Sequence, residues 1–359
     1  MFTIGGYGNE VHPPVQDTKV QSHETQAPEV TSHAAEGDAE TSAIRKFLQG
    51  RGSSAVADRL FYLLVAACAC SIFAIVIFIA YELVSRSQLT IHKFGLSFFF
   101  RSGWDPVNES FGAWPFIYGT LVSSFLGLLI AVPLALGVAI FLTEMCPRML
   151  RQPLSFLTEL LAAIPSVVYG LWAIFVMVPI LRDYVDPFLK KTLGWTGLFT
   201  GPIFGVGMLA AGVIIAIMIL PIISSLAREV MIAVPHTQRE AVLALGATRW
   251  EMIRTGVLRN ARIGIVGSVI LGLGRALGET MAVTMVIGNR PEISKSLLAP
   301  GYSMASVLAN EFSEATDDMY LSALIEIGLA LFLVTIVVNA LARILVWAVT
   351  RGAPARAGA

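Results

Sequence analysis

Two charged residues four apart, Arg275 and Glu279, interrupt an otherwise uncharged apolar run from about residue 263 to 288. A charge in such a setting costs at least about 2.5–3.5 kcal/mol on insertion scales. Spaced by four on one helix the two side chains can pair. Mere mutual neutralisation is the plain reading, yet two apolar residues there would usually be as stable or more so. A site facing an aqueous cavity accounts for them better, with the planar donor array of Arg275 receiving an oxyanion. Gly264, Gly267, Gly274 and Gly278 fall within about 80° of one another beside Arg275 on a helical wheel. That strip contains a G-x-x-x-G and allows another helix to approach closely. The pair is therefore expected at the edge of a helix–helix seam, where a pathway between subunits would run.

A second constellation precedes it. The segment Pro235–Glu251 reads as two short helices joined by a glycine turn. Thr237 with Glu240, and Thr248 with Glu251, have the Thr-x-x-Glu spacing of capping boxes, and Gly246 sits where a left-handed residue would end the first helix. As a capping residue alone, Glu240 would contribute about 1 kcal/mol to a helix end. The first helix also displays Ala241, Ala244 and Leu245 beside Val242 and Leu243. That much apolar surface on a loop points to docking on a partner.

No residues are expected to be catalytic or to hold a metal, and no cofactor is implied. Cys68 and Cys70 are two apart in an apolar span and point to different faces, so neither a disulfide nor a metal clamp is expected. With Cys146 they read as small apolar fillers. His12, His23 and His33 are too widely spaced for a site. H-E-x-x-H and G-x-S-x-G are missing, and none of the six lysines follows a glycine, so there is no G-x4-G-K-[ST] phosphate loop.

The elements that must position these groups are membrane spans. Of 359 residues 55% are hydrophobic and 14% charged, against roughly 25% charged in soluble domains. Residues 1–55 form an acidic tail, rich in Pro, Thr, Ser, Gln and Ala and expected to be disordered and cytoplasmic; residues 1–50 are expected to be dispensable for transport. The transmembrane domain is expected over 56–355, an all-α fold. Six stretches exceed the roughly 20 apolar residues a bilayer requires, near 60–84, 113–142, 156–181, 205–227, 263–288 and 321–349. With the N-terminus inside, fifteen basic residues fall on the inner side, six of them in the longest inner loop at 228–262, against eight outside. The positive-inside rule puts both termini in the cytoplasm of a multi-pass protein of the cell membrane.

Three stretches carry a family resemblance. Glu240-Ala-Val-x3-Gly246 resembles the coupling loop of ABC-importer permeases, in which Glu-Ala-Ala is followed after three residues by glycine. Val242 stands in for the second alanine, and Arg259 stands where a proline usually ends the motif. The run Gly274-Arg-Ala-Leu-Gly-Glu-Thr-Met-Ala-Val-Thr-Met-Val-Ile-Gly-Asn289 closely resembles the fifth span of the C-type permease subunit of the bacterial phosphate-specific ABC importer. The run from Glu159 to Trp172, Glu-Leu-Leu-Ala-Ala-Ile-Pro-Ser-Val-Val-Tyr-Gly-Leu-Trp, looks like the same family. Together these cover about residues 56–350. The resemblance implies a six-span, type I ABC-importer permease without catalytic activity of its own. It implies as partners a sister permease in a heterodimer, a separate ATPase dimer, an extracytoplasmic phosphate-binding protein and membrane lipid, with phosphate as substrate and no nucleic acid. Carried over by position, its substrate pathway falls on Arg275 and Glu279, and its ATPase coupling on Glu240, Ala241 and Gly246. Ser166 and Tyr169, beside Pro165, are further pathway candidates; an ordinary proline kink in a packed helix explains them equally well.

Other readings remain open on the residues alone. One arginine does not name its anion, so a permease for sulfate or molybdate is an alternative. A self-sufficient secondary transporter usually shows internal repeats and ion-coupling acids in several spans; no repeat is visible, and the mid-membrane charges are read as gathered in one span. A membrane enzyme is the weakest reading.

Overall fold

The structure, a computed structural model, describes the backbone of residues 54–350 and the side chains of 56–347. The tail expected over 1–55, with its three histidines, lies outside the described residues but for its last two. The chain divides between Phe73 and Ala74 into two units. The described part of the first is the opening stretch of helix α1 (Ser54–Arg86), whose side chains are almost all exposed.

In the second unit α1 ends and is followed by a short helix α2 (Gln88–Phe94), then α3 (Trp114–Met145), α4 (Arg148–Ala163), α5 (Ser166–Thr196) and α6 (Met208–Ile232). After these come α7 (His236–Ala244), α8 (Arg249–Leu277), α9 (Met281–Val286), α10 (Met304–Glu311) and α11 (Asp318–Thr350). Among the described residues six helices are long and apolar enough to cross a membrane: α1, α3, α5, α6, α8 and α11. No strand occurs among the described residues.

α6 is apolar nearly all round and is accordingly the central helix, 67% buried over its most apolar stretch. It lies against α3 through reciprocal small-residue contacts. A Cβ on Gly127 would meet Ile215 at 2.6 Å, and one on Gly212 would meet Leu126 at 2.6 Å. Only glycine permits that approach, and dispersion contacts replace the hydrophobic drive that lipid removes. One apolar cluster joins α3, α5, α6 and α9 around Ile214, Ile219 and Val283. A second, at the end carrying α10, stacks Phe98, Phe111, Phe116 and Tyr302 on α11. A third, at the end carrying α7, joins Ala139, Met231, Ile253 and Val257.

Several expected boundaries move. The third span does not begin near Phe156. Pro165, which has no N–H to give the helix, separates α4 from α5, and the crossing helix starts at Ser166. The Tyr169 hydroxyl donates to the Leu161 carbonyl at 2.8 Å, the acceptor that the missing proline N–H would have served. The inner loop expected over 228–262 shrinks to the segment 233–248, because α6 runs on to Ile232 and α8 starts at Arg249. With Arg259 in place of proline, α8 passes through that position unbroken, its early turns widened into a π-helical stretch at Met252–Leu258. Cys68 and Cys70 are exposed and so fill no core among the described residues, whereas Cys146 is buried.

Candidate functional site

The fifth span does not run to residue 288 as one helix. α8 ends at Leu277, Gly278 to Thr280 leave the helix, and α9 resumes at Met281. Arg275 and Glu279 therefore do not share a continuous helical face. Arg275 is in the last turn of α8, and Glu279 lies in the break. Their nearest nitrogen–oxygen distance is 3.9 Å, the outer limit of an ion pair, and no hydrogen bond joins them. The side chain of Glu279 is 7% exposed and that of Arg275 is 45% exposed. The break thus buries the carboxylate and leaves the guanidinium open, with most of its donors available.

Depth follows from the packing of α8 on α6. A Cβ on Gly272 would meet Ile223 at 2.7 Å. Arg275, three residues further along, lies about 4.5 Å beyond that level, near the middle of α6. The glycine strip divides. Gly264 is packed on Val230 of α6, while Gly267 and Gly274 face open space. Gly267 lines a cavity of about 450 Å3 together with Val230 of α6 and Arg343 of α11. Ser166 is half-buried as the first residue of α5. Tyr169 is buried, and the next residue, Gly170, lies against Ala282 and Met285 of α9. The start of α5 is thereby brought beside the segment that follows Glu279.

At the other candidate site, Gly246 has φ +82° and follows the end of α7, as a left-handed stop requires. The Thr248–Glu251 capping box is complete: the Thr248 hydroxyl accepts from the Glu251 N–H at 3.3 Å, and the Glu251 carboxylate accepts from the Thr248 N–H at 2.8 Å. The Thr237–Glu240 box does not form. α7 begins earlier, with Pro235 as its cap residue, and the Pro235 carbonyl closes the first turn by accepting from Gln238 at 3.2 Å. Thr237 is then already helical, and Glu240 is left exposed on the surface. Ala241, Ala244, Leu243 and Leu245 are exposed too, Leu245 at 89%. A cavity of about 550 Å3 beside them is lined by Glu144, Leu243, Arg249, Trp250 and Ile253 among others.

What seats this loop was missed in the sequence. Arg239 is buried, donating from Nη1 to the Val234 carbonyl at 2.6 Å and from Nη2 to the Met231 carbonyl at 2.8 Å. Its Nε donates to the Glu144 carboxylate at the end of α3 at 3.2 Å. One guanidinium thus serves the Val234 carbonyl just beyond α6, adds to the Val234 N–H on the Met231 carbonyl, and ties α7 to α3. Nothing in the spacing of two residues 95 apart announces the pair. Glu326 corrects the reading that intramembrane charges gather in one span: it is 1% exposed inside α11, with Oε2 lacking a hydrogen-bond partner among the described residues. That signal was legible, a lone acid in the apolar run 321–349.

Residues 127–351 match the family described as binding-protein-dependent transport system inner membrane component, and the chain belongs to that family. With its six apolar helices it is a multi-pass inner-membrane protein of the permease class. Among curated relatives, the phosphate transport system permease protein PstC of Mesorhizobium japonicum is 46% identical over 293 residues, covering 80% of this chain and 90% of that protein. The protein of the same name from Haemophilus influenzae is 46% identical, covering 80% and 93%. A probable phosphate transport system permease protein PstC of Methanocaldococcus jannaschii is 36% identical, covering 69% and 81%. Among solved structures, a chain of the inward-facing MetNI methionine ABC transporter is 19% identical with TM-score 0.45, covering 66% of this chain and 94% of that one.

Proposed function

We propose that this chain is the permease subunit of an ATP-driven importer that carries phosphate into the cell, without catalytic activity of its own. It pairs with a sister permease, receives phosphate from an extracytoplasmic binding protein, and is driven by a separate ATPase dimer, with both termini in the cytoplasm. The names of the relatives support the substrate. The observation that carries the reading is the open Arg275 guanidinium at the level of the middle of α6, 45% exposed and, among the described residues, hydrogen-bonded to no carboxylate. A charge held there with only a distant ion-pair partner is worth its insertion cost where an anion passes. Glu279 contributes a buried counter-charge beside it. Ser166 and Tyr169 shape the neighbouring wall, Tyr169 through its bond to Leu161.

Glu240, Ala241 and Gly246 form the face that meets the ATPase. α7 is held from behind by Arg239 and offers its exposed residues outward. The transmembrane domain is assigned to 56–355 and the tail to 1–55.

The test is phosphate uptake in cells lacking other phosphate carriers, with membrane levels of each variant checked by blot. Arg275→Gln should insert and fold, because the 3.9 Å pair carries no hydrogen bond to lose, yet uptake should fall severely. Arg275→Lys keeps the charge but not the planar fork and should be partly defective. Uptake near wild type in Arg275→Gln would remove the basis of the anion pathway. Charge reversal at Glu240 should separate ATP hydrolysis from uptake while leaving the Arg275 site intact.

A further inference from the structure

At the end of the molecule that carries α7, a cavity of about 530 Å3 opens between α4 and α6. Its polar lining comprises Arg148, Arg151, Arg228, Gln152, Ser155 and Glu159. Three guanidinium groups here face one carboxylate, and that carboxylate is 58% exposed. The arginines are only partly used. Arg228 donates from Nη1 to the Ser155 hydroxyl at 3.0 Å and from Nη2 to Glu159 at 3.4 Å, while its Nε is buried without a partner among the described residues. Arg151 donates from Nη2 to the Thr143 carbonyl at 2.9 Å, and its Nε is likewise buried and unpartnered. Arg148 is exposed and has no hydrogen bond or ion pair among the described residues. Two held, under-used guanidinium forks and a third open one, with excess positive charge, match the oxygens of a phosphate group.

α4 gives the cavity its surroundings. On a helical wheel Arg148, Arg151, Gln152, Ser155 and Glu159 share one arc, and the opposite arc carries Met149, Leu157 and Leu160. Phe156 stands at the border and lines the cavity. Met149 is 89% exposed and Phe156 63% exposed. A basic cavity continuous with an exposed apolar arc is the layout of a helix lying in a membrane interface. Gly264 packs on Val230, two residues from Arg228, and Arg275 is a further eleven residues along α8, about 16 Å away. The cavity is therefore distinct from the Arg275 site.

We propose that the Arg148–Arg151–Arg228 cavity binds a phosphate group, supplied either by the headgroup of an anionic lipid or by free phosphate on that side of the membrane. The inference does not rest on the transport reading. Purified full-length chain would be titrated with phosphatidylglycerol, with retained lipid counted by native mass spectrometry. In a parallel arm, inorganic phosphate would be titrated and the unfolding temperature followed. Arg148→Gln breaks no hydrogen bond or ion pair among the described residues and should leave the fold intact, while weakening binding about fivefold. Arg228→Gln should weaken it by at least as much. Phosphatidylglycerol retained with little effect of inorganic phosphate identifies the lipid source, and the reverse identifies the free anion. The proposal is overturned if wild type binds neither probe, or if both variants bind them as wild type does. It is also overturned if Arg148→Gln impairs only association with another protein chain while probe binding is unchanged.

Discussion

Removing Arg239 should release α7 from the membrane helices without disturbing them. In Arg239→Met the stem volume is kept while the guanidinium is lost, along with its bonds to Met231, Val234 and Glu144. The Glu144 side chain is 9% exposed and that of Arg239 is 11% exposed, so the pair sits largely out of water. Breaking a buried pair from one side typically costs about 3–5 kcal/mol, because the other charge remains without compensation. That energy belongs to the local docking of α7, since α3 and α6 also meet through Gly127 and Gly212, far from this end. At tenfold per 1.4 kcal/mol, amide exchange over residues 233–245 should accelerate by about a hundred- to several-thousand-fold. Exchange in the middle of α6 should stay as in wild type. Hydrogen-exchange mass spectrometry of the chain in nanodiscs reads both regions at once. The double variant Arg239→Met with Glu144→Leu should recover the share owed to the stranded carboxylate, the remainder reflecting the Val234 carbonyl, since Met231 still accepts from the Val234 N–H at 3.3 Å. Unchanged exchange over 233–245 in Arg239→Met would show that the loop is seated by something else.

Tyr169→Phe removes the donor that replaces the missing Pro165 N–H. It should lower thermal stability by about 1 kcal/mol with no loss of expression. Gly119→Ala would drive a Cβ into the backbone carbonyl of Tyr302, which cannot swing away. A loss of about 1–3 kcal/mol or more is expected, with the segment around Tyr302 exchanging faster. At Gly246 space is open but φ is +82°. Gly246→Val should therefore cost about 1–2 kcal/mol through backbone strain alone, seen as fraying at the end of α7; an unchanged α7 would refute that account.

Much of the fold was legible because it depends on local rules. Six apolar runs of bilayer length became six helices, since a backbone in lipid must satisfy its own hydrogen bonds wherever it is long enough to cross. The Gly246 stop and the Thr248–Glu251 box were legible for a similar reason: each acts between residues three or four apart. The Thr237–Glu240 box had the same spacing and did not form, because Pro235 started the helix earlier and two competing local signals cannot share one terminus.

The candidate site was legible in its residues but not in its geometry. Arg275 and Glu279 stand out in any apolar run, whereas the break at Gly278–Thr280 buries one and leaves the other open, with α9 beyond it packed against Gly170 of α5. Arg239 with Glu144, and the arginines around Ser155, are met only when α3, α4, α6 and α7 converge at one end. Sequence alone determined which segments enter the membrane and which charges are costly there, because transfer energy is a property of each segment. Tertiary structure alone decided which of those charges are paired, buried or open, because pairing depends on distances between helices far apart in the chain.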